Sequence, residues 1–345
     1  MIRFFSFLLI LIFALPQGSA ADEPPGWEVF KTRFISKDGR VVDHVQDQIS
    51  HSEGQGFAML LAARHDDPAT FELLWRWTRD NIQVRKLDHL FAWKWGERAP
   101  GKWGVIDLNN ATDGDTLIAL ALLEGAVRWK NEDYRTSALE IIKSIHRHLV
   151  FERDGRLFLL PGYYGFIKDK GLILNPSYMI FPAYAIFAKY HEPKFWQKLR
   201  RDSLDILARC VFTRLMLPAD WICWKPQGPS VYVEKSEVFG FEAIRVLLYL
   251  AWDHSMTALP KIGETLHVID QLGFIPCSVN LARNTISLNE APAGFYAVFA
   301  RTAFEIGEKE HGQALWRIGL DKLGLEKDDY YSHVLYLLAK IDLKS

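Results

Sequence analysis

The sequence predicts an all-α fold, a closed toroid of paired helices with only minor β-strands in its loops. About twelve segments place apolar residues at i, i+3, i+4 and i+7, the spacing of one helix face. They follow one another in pairs, and strand-like alternation is confined to two short runs. No Ser-, Thr- or Pro-rich connector and no charge block interrupts residues 22–345, so the pairs belong to a single domain. An α-solenoid would use the same elements, but no fixed sequence period supports one.

Residues 1–20 read as a secretory signal peptide. Arg3 supplies the positive start, residues 4–15 form an apolar run, and Gly18-Ser19-Ala20 precedes a cut before Ala21. The domain is therefore expected to span 21–345 and to work after export, in the periplasm or as a secreted protein. Its helices are expected at 27–34, 54–63, 69–81, 116–129, 134–150, 176–190, 193–211, 241–252, 262–272, 293–306, 312–323 and 330–341. Asp113 and Asn175 stand where N-caps belong, and Pro176 and Pro193 suit a first helical turn. The strand-like runs are 157–160 and 231–233.

Composition narrows the function. The formal charge of −1 and the lack of any Lys/Arg run longer than two give no footprint for nucleic acid or an acidic membrane surface. Three cysteines, Cys210, Cys223 and Cys277, are an odd number for an exported chain. They fit one disulfide plus a thiol, or three buried thiols in a core that needs no staple. No Cys/His spacing resembles a zinc site. The 12 tryptophans either fill a large core or line a groove where flat rings stack on sugar faces.

Two acidic, glycine-flanked segments stand out. One is His51-Ser52-Glu53-Gly54-Gln55-Gly56, and the other is Ala111-Thr112-Asp113-Gly114-Asp115, which runs into an apolar helix. The small residues leave the carboxylates uncovered on the backbone side, as close approach of a polymer would require. Each acid also suits an ordinary helix start, Glu53 and Asp115 complementing the dipole and Asp113 as a cap. A third segment, Phe241-Glu242-Ala243-Ile244-Arg245, sets Glu242 and Arg245 on one helix face, where the arginine would keep Glu242 ionised. Separated acids among many tryptophans are what glycosidic-bond cleavage needs.

These segments resemble the hallmark sequences of glycoside hydrolase family 8. The likeness continues through Leu90-Phe91-Ala92-Trp93, Asn175-Pro176-Ser177-Tyr178, Pro218-Ala219-Asp220-Trp221 and Glu242-Ala243-Ile244-Arg245, so it spans most of the mature chain. The resemblance implies an (α/α)6 barrel and an inverting endo-β-1,4-glucanase, most similar to the periplasmic enzymes that accompany bacterial cellulose synthases. It implies Glu53 as general acid and Asp113 as the acid that holds and distorts the sugar at the cleavage subsite. It further implies Trp93 and Tyr178 as sugar-contacting aromatics and Arg245 as the partner of the base. The departure lies at Glu242, where the family usually carries Asp in a Tyr-Asp-Ala-Ile-Arg context. Three outcomes follow, in this order: Glu242 serves as base, Asp220 or Asp113 activates the water instead, or the protein mainly binds glucan. The expected chemistry needs Glu53 protonated through a raised pKa, the base ionised, and no metal or organic cofactor. The expected partner is a β-1,4-glucan chain, with a functional link to a cellulose synthase complex and a monomeric state. Xylan, chitosan or mixed-linkage glucan as substrate, or a weakly catalytic glucan-binding accessory role, are the alternatives.

Overall fold

The computed structural model describes residues 26–343; the expected signal segment 1–20 lies outside the described residues. Twelve α-helices occur in the described chain. In order they are α1 (Trp27–Phe34), α2 (Ser52–Arg64), α3 (Pro68–Ile82), α4 (Thr112–Trp129), α5 (Glu132–Leu149) and α6 (Phe181–Phe187), then α7 (Pro193–Arg209), α8 (Ile244–Trp252), α9 (Ile262–Leu272), α10 (Ala293–Glu305), α11 (Lys309–Leu325) and α12 (Tyr330–Lys340). The even-numbered helices touch in the cycle α2, α4, α6, α8, α10, α12 and back to α2, which closes the ring. The odd-numbered helices pack outside it. This is an (α/α)6 barrel, and it rules out the solenoid.

Residue patterning decides which helix goes where. An inner helix is enclosed by neighbours on all sides and must be apolar or small all round. Every residue of α8 is buried, as is the unbroken run from Thr112 to Leu123 of α4. An outer helix shows one stripe. In α7 only Trp196, Leu199, Ser203, Ile206 and Leu207 are buried, spaced by three, four, three and one, along an otherwise charged face.

The expected helices all appear; four change a boundary by three residues or more, among them the helix expected from 312, which begins at Lys309. The segment 176–190 splits into a 3-10 turn at Pro176–Tyr178 and the short α6. Pro182 is the reason: with no N–H it cannot continue the hydrogen bonding of the 3-10 turn, so a new helix starts with the proline in its first turn. The helix expected from 241 starts at Ile244, because Asp220 Oδ1 accepts the amides of Gly240 and Ala243 and fixes that turn (3.0 and 2.8 Å). The helix expected from 116 starts four residues earlier. Asp113 is therefore not its N-cap; that position is Ala111, and Asp113 sits in the first turn with Oδ1 accepting its neighbour Gly114 N (2.8 Å). Asn175 does cap, accepting Ser177 N at 2.9 Å.

The run 157–160 forms a hairpin arm, Arg156–Leu159 against Val150–Arg153; of 231–233 only Val231 lies in a strand, the end of Gly228–Val231 paired with Ile222–Lys225, and Tyr232 and Val233 lie beyond it. A further hairpin, Lys94–Ala99 with Lys102–Asp107, was not expected, although Pro100-Gly101 between alternating runs is a turn signal. All three cysteines are free thiols. No described helix is long and apolar enough to cross a membrane.

Candidate active site

The inner helices point their N-termini at one end of the barrel, where a cleft of about 690 Å³ opens. Glu53 comes from the first turn of α2, Asp113 from that of α4, and Tyr178 from the 3-10 turn before α6. Phe241, Glu242 and Arg245 come from the start of α8, Pro292 precedes α10, and Tyr330 and Tyr331 open α12. Trp93 completes the wall. It is set at the foot of the Lys94–Ala99 strand, with its indole N–H on Asp107 (2.8 Å) and its carbonyl accepting the amide of Ser52 (3.0 Å). All six residues singled out in the sequence thus meet in one cleft.

Arg245 is the hub. Its Nη1 lies 2.8 Å from Glu53 Oε2; its Nη2 lies 2.7 Å from Glu242 Oε2 and 3.3 Å from Asp113 Oδ2. Nη2 also donates to Ser177 Oγ (3.0 Å) and Nη1 to Tyr331 OH (3.3 Å). Tyr331 in turn donates to the carbonyl of Phe241, holding the turn that carries Glu242 (2.7 Å). A buried guanidinium whose Nη1 and Nη2 serve three carboxyls positions the acids, while its Nε has no hydrogen-bond partner among the described residues. In the sequence Asn175 and Ser177 stand in a family-like segment, and Asn175 also as a cap, but not as partners of the acids; Tyr331 is not singled out there. Tyr331 carries no local signal, since an aromatic at a helix start reads as core.

Glu242 is anchored through one oxygen. Oε2 receives Arg245, Asn175 Nδ2 (3.1 Å) and Ser177 Oγ (3.4 Å). With its side chain 34% exposed, the carboxylate keeps its other oxygen toward the cleft. The two other acids considered as bases are committed elsewhere. Asp220 does not line the cleft; its oxygens bind Gly240 N, Ala243 N and Ser236 Oγ, and burial pushes its pKa up to about 6. Asp113 is buried, and burial together with the neighbouring Glu53 charge drives its pKa well above the usual carboxylate range.

Glu53 departs from the sequence expectation. Burial opposes its ionisation, but the adjacent Arg245 and a hydrogen bond with Asp113 outweigh burial and hold it below its ordinary value. The raised pKa expected for Glu53 is found on Asp113 instead. Three carboxyls face one guanidinium, and the two inner acids are driven apart, Glu53 downward by Arg245 and Asp113 upward by burial and the Glu53 charge.

The flanking glycines also have a different purpose from the one the sequence suggested. A Cβ on Gly114 would lie 2.7 Å from Glu53 N and 2.8 Å from the carbonyl carbon of Ser52. One on Gly56 would lie 2.7 Å from Leu117 Cβ, and one on Gly54 2.8 Å from Tyr330 OH. They let α2 approach α4 and α12, which is how Glu53 and Asp113 come into hydrogen-bond range. Gln55 is structural as well, accepting Val41 N (2.6 Å) and donating to Thr78 Oγ1 (2.8 Å). Among the described residues no group of three or more His, Cys, Asp or Glu is arranged to hold a metal ion.

Residues 1–342 match the family model described as glycosyl hydrolases family 8. The chain is 39% identical over 234 residues to an endoglucanase of Cellulomonas uda, covering 68% of this chain and 64%, just under two thirds, of that relative. It is 33% identical over 341 residues to a probable endoglucanase of Novacetimonas hansenii, covering 94% and 93% of the two chains. The solved endo-β-1,4-glucanase of Acetobacter xylinum superposes with a TM-score of 0.80 at 31% identity, covering 91% of this chain and 95% of that one.

Proposed function

Because the chain belongs to glycosyl hydrolase family 8, we propose that its cleft hydrolyses internal β-1,4-glucosidic bonds with inversion at the anomeric carbon. The observation that carries this reading is the arrangement of Glu53 and Glu242 on separate nitrogens of one buried guanidinium. Contacts of 2.8 and 2.7 Å, with roughly 2.3 Å between the two guanidinium nitrogens from ordinary C–N geometry, cap the spacing of the bound oxygens at about 7.8 Å. That ceiling admits the spacing of about 6.5–9.5 Å that leaves room for a water between an inverting pair, and the anomeric measurement below separates it from the roughly 5–5.5 Å of a retaining pair.

In this mechanism Glu53 protonates the glycosidic oxygen as the bond to C1 breaks. A water held by the free oxygen of Glu242 forms the new C1–O bond from the opposite face and gives its proton to that carboxylate. Asp113 holds the proton at rest and passes it to Glu53 across their hydrogen bond as the sugar enters. Trp93 and Tyr178 offer ring surfaces for the glucosyl units on either side of the carboxyls. Endoglucanase relatives that match most of the chain support β-1,4-glucan as substrate. We place the work in bacterial cellulose biosynthesis after export; the signal-like pattern of residues 1–20 supports export.

The test is proton NMR of the anomeric signals during digestion of cellopentaose. Early α-anomer is the expected product. Early β-anomer would mean a retaining pair, and binding without product would leave a glucan-binding protein.

A further inference from the structure

The helix that carries Glu53 begins on an unusual cap. Position 51 would normally favour Ser, Thr, Asp or Asn, yet it holds His51, whose Nδ1 accepts the amide of Gly54 at 3.1 Å. With Nδ1 used as an acceptor, a ring proton sits on Nε2. Nε2 faces Asp43 Oδ2 at 3.8 Å. Asp43 is itself buried and organises the loop 43–49: Oδ1 accepts Val45 N (3.0 Å) and Gln46 N (3.2 Å), and Oδ2 accepts Gln46 Nε2 (3.0 Å). Asp43 N bonds to Ile49 O across the base of the loop (3.0 Å). Asp47 and Gln48 both take left-handed backbone, φ 51° and 54°, a conformation non-glycine residues seldom adopt. Val45 and Gln46, on the far side of this turn, form part of the cleft wall, and Val45 is 69% exposed. Also against His51 are the Tyr330 ring, edge-on at 5.7 Å, Glu53 two residues on, and Lys94, its partner on the neighbouring strand.

We propose that Asp43 and His51 form a positioning relay that couples a glucosyl unit resting on Val45 and Gln46 to the orientation of Glu53. The loop's carboxylate faces the imidazole at 3.8 Å, the imidazole caps the first turn of α2, and that turn carries the acid. A sugar pressing on Val45 moves the carboxylate that orders the loop, and through it the ring that fixes the start of α2. The relay gives the enzyme a way to align its acid only under an occupied cleft, and it rests on the reading of Glu53 as the acid.

The test separates capping from coupling. Asn is a good helix cap but cannot span to Asp43, so His51→Asn keeps the cap and cuts the relay. The expected result is a Tm within about 2 °C of the parent, KM on cellopentaose within twofold, kcat lowered tenfold or more, and a displaced acid limb in the pH–rate profile. Asp43→Asn should reproduce the kcat loss, and combining the two should add little. Parental kcat and pH profile in His51→Asn would overturn the relay. A kcat loss that tracks a fall in Tm would also overturn it, leaving a purely structural cap. Glu53→Gln is the control: if it remained active, the reading of Glu53 itself would fail, whereas an inactive Glu53→Gln beside a fully active His51→Asn would remove the relay alone.

Discussion

Gly114→Ala tests how the two acids are brought together. The new Cβ would stand 2.7 Å from Glu53 N and 2.8 Å from the carbonyl carbon of Ser52, both backbone atoms that no side-chain rotation can clear. Ordinary contact begins at 3.4 Å, so the first turn of α2 must retreat by roughly 0.7 Å from α4. Overpacking of this kind destabilises by about 1–3 kcal/mol, seen as a drop of several degrees in Tm. The displaced turn carries Glu53, and a misplacement of about 1 Å at a reacting group lowers the rate by about 10²-fold. We therefore expect kcat on cellopentaose to fall by about 10- to 100-fold, with KM little changed. Thermal unfolding and steady-state kinetics on the purified variant check both numbers. If the glycines instead existed to let the polymer approach, Gly114→Ala would raise KM and leave Tm intact. That outcome, or a variant with parental kcat and Tm, would refute the packing account.

Three further outcomes follow from the same geometry. Glu53→Gln should abolish hydrolysis while calorimetry still detects cello-oligosaccharide binding, because the amide keeps the shape but has no proton to give. Glu242→Ala should lose at least about 10²-fold in kcat, the usual scale for a missing general base, whereas Glu242→Asp should keep measurable activity; equal activity of both variants and the parent would place the base elsewhere. Asp115 accepts Phe91 N (2.9 Å) and Asn110 Nδ2 (2.6 Å), yet burial outweighs both and pushes its pKa up to about 7 from 3.8. A raised value means the folded state binds the proton more tightly, so this contribution to stability is complete below about pH 4 and lost as pH rises through 7. Urea unfolding across that range should show the parent declining by up to about 1.4 kcal/mol per pH unit relative to Asp115→Asn; parallel curves would show that Asp115 is ionised throughout.

The fold was legible because inner and outer helices differ in composition, not only in period. The unbroken apolar and small run of α4 and the single stripe of α7 are visible as letters. The site was legible to the extent that its residues stand in contiguous segments, as Glu53, Asp113 and Glu242 do. What could not be read is what depends on distance across the barrel. Arg245 lies beside Glu242 in sequence, so its pairing with Glu242 was foreseen, whereas its contact with Glu53 comes from the far side of the ring. Tyr331 reaches Phe241 across 90 residues. The glycines misled for the same reason: a gap in side-chain volume is filled from α4 and α12, which the sequence does not set beside them.

The same separation explains why the proton was expected on the wrong acid. The role of general acid called for a neutral Glu53, and nothing in His51-Ser52-Glu53-Gly54-Gln55 reveals the cation that opposes it. In the barrel it gains a guanidinium at 2.8 Å, and its partner Asp113 is more deeply enclosed, with the side chain 1% exposed against 14% for Glu53. The cation therefore favours charge on Glu53, and burial disfavours charge on Asp113 more strongly than on its partner. This resting state is compatible with acid catalysis because the proton remains one hydrogen bond away. A glucan chain that displaces water from the cleft removes solvent from Glu53 far more than from Asp113, which has almost none to lose. Binding thus narrows the difference between the two acids in the direction that moves the proton onto Glu53, where the leaving oxygen needs it. Asp113→Asn, which removes the reservoir but keeps the shape, should depress kcat most at high pH, where Glu53 alone cannot hold a proton beside Arg245. A pH–rate profile parallel to that of the parent would show that Asp113 stores no proton for the reaction.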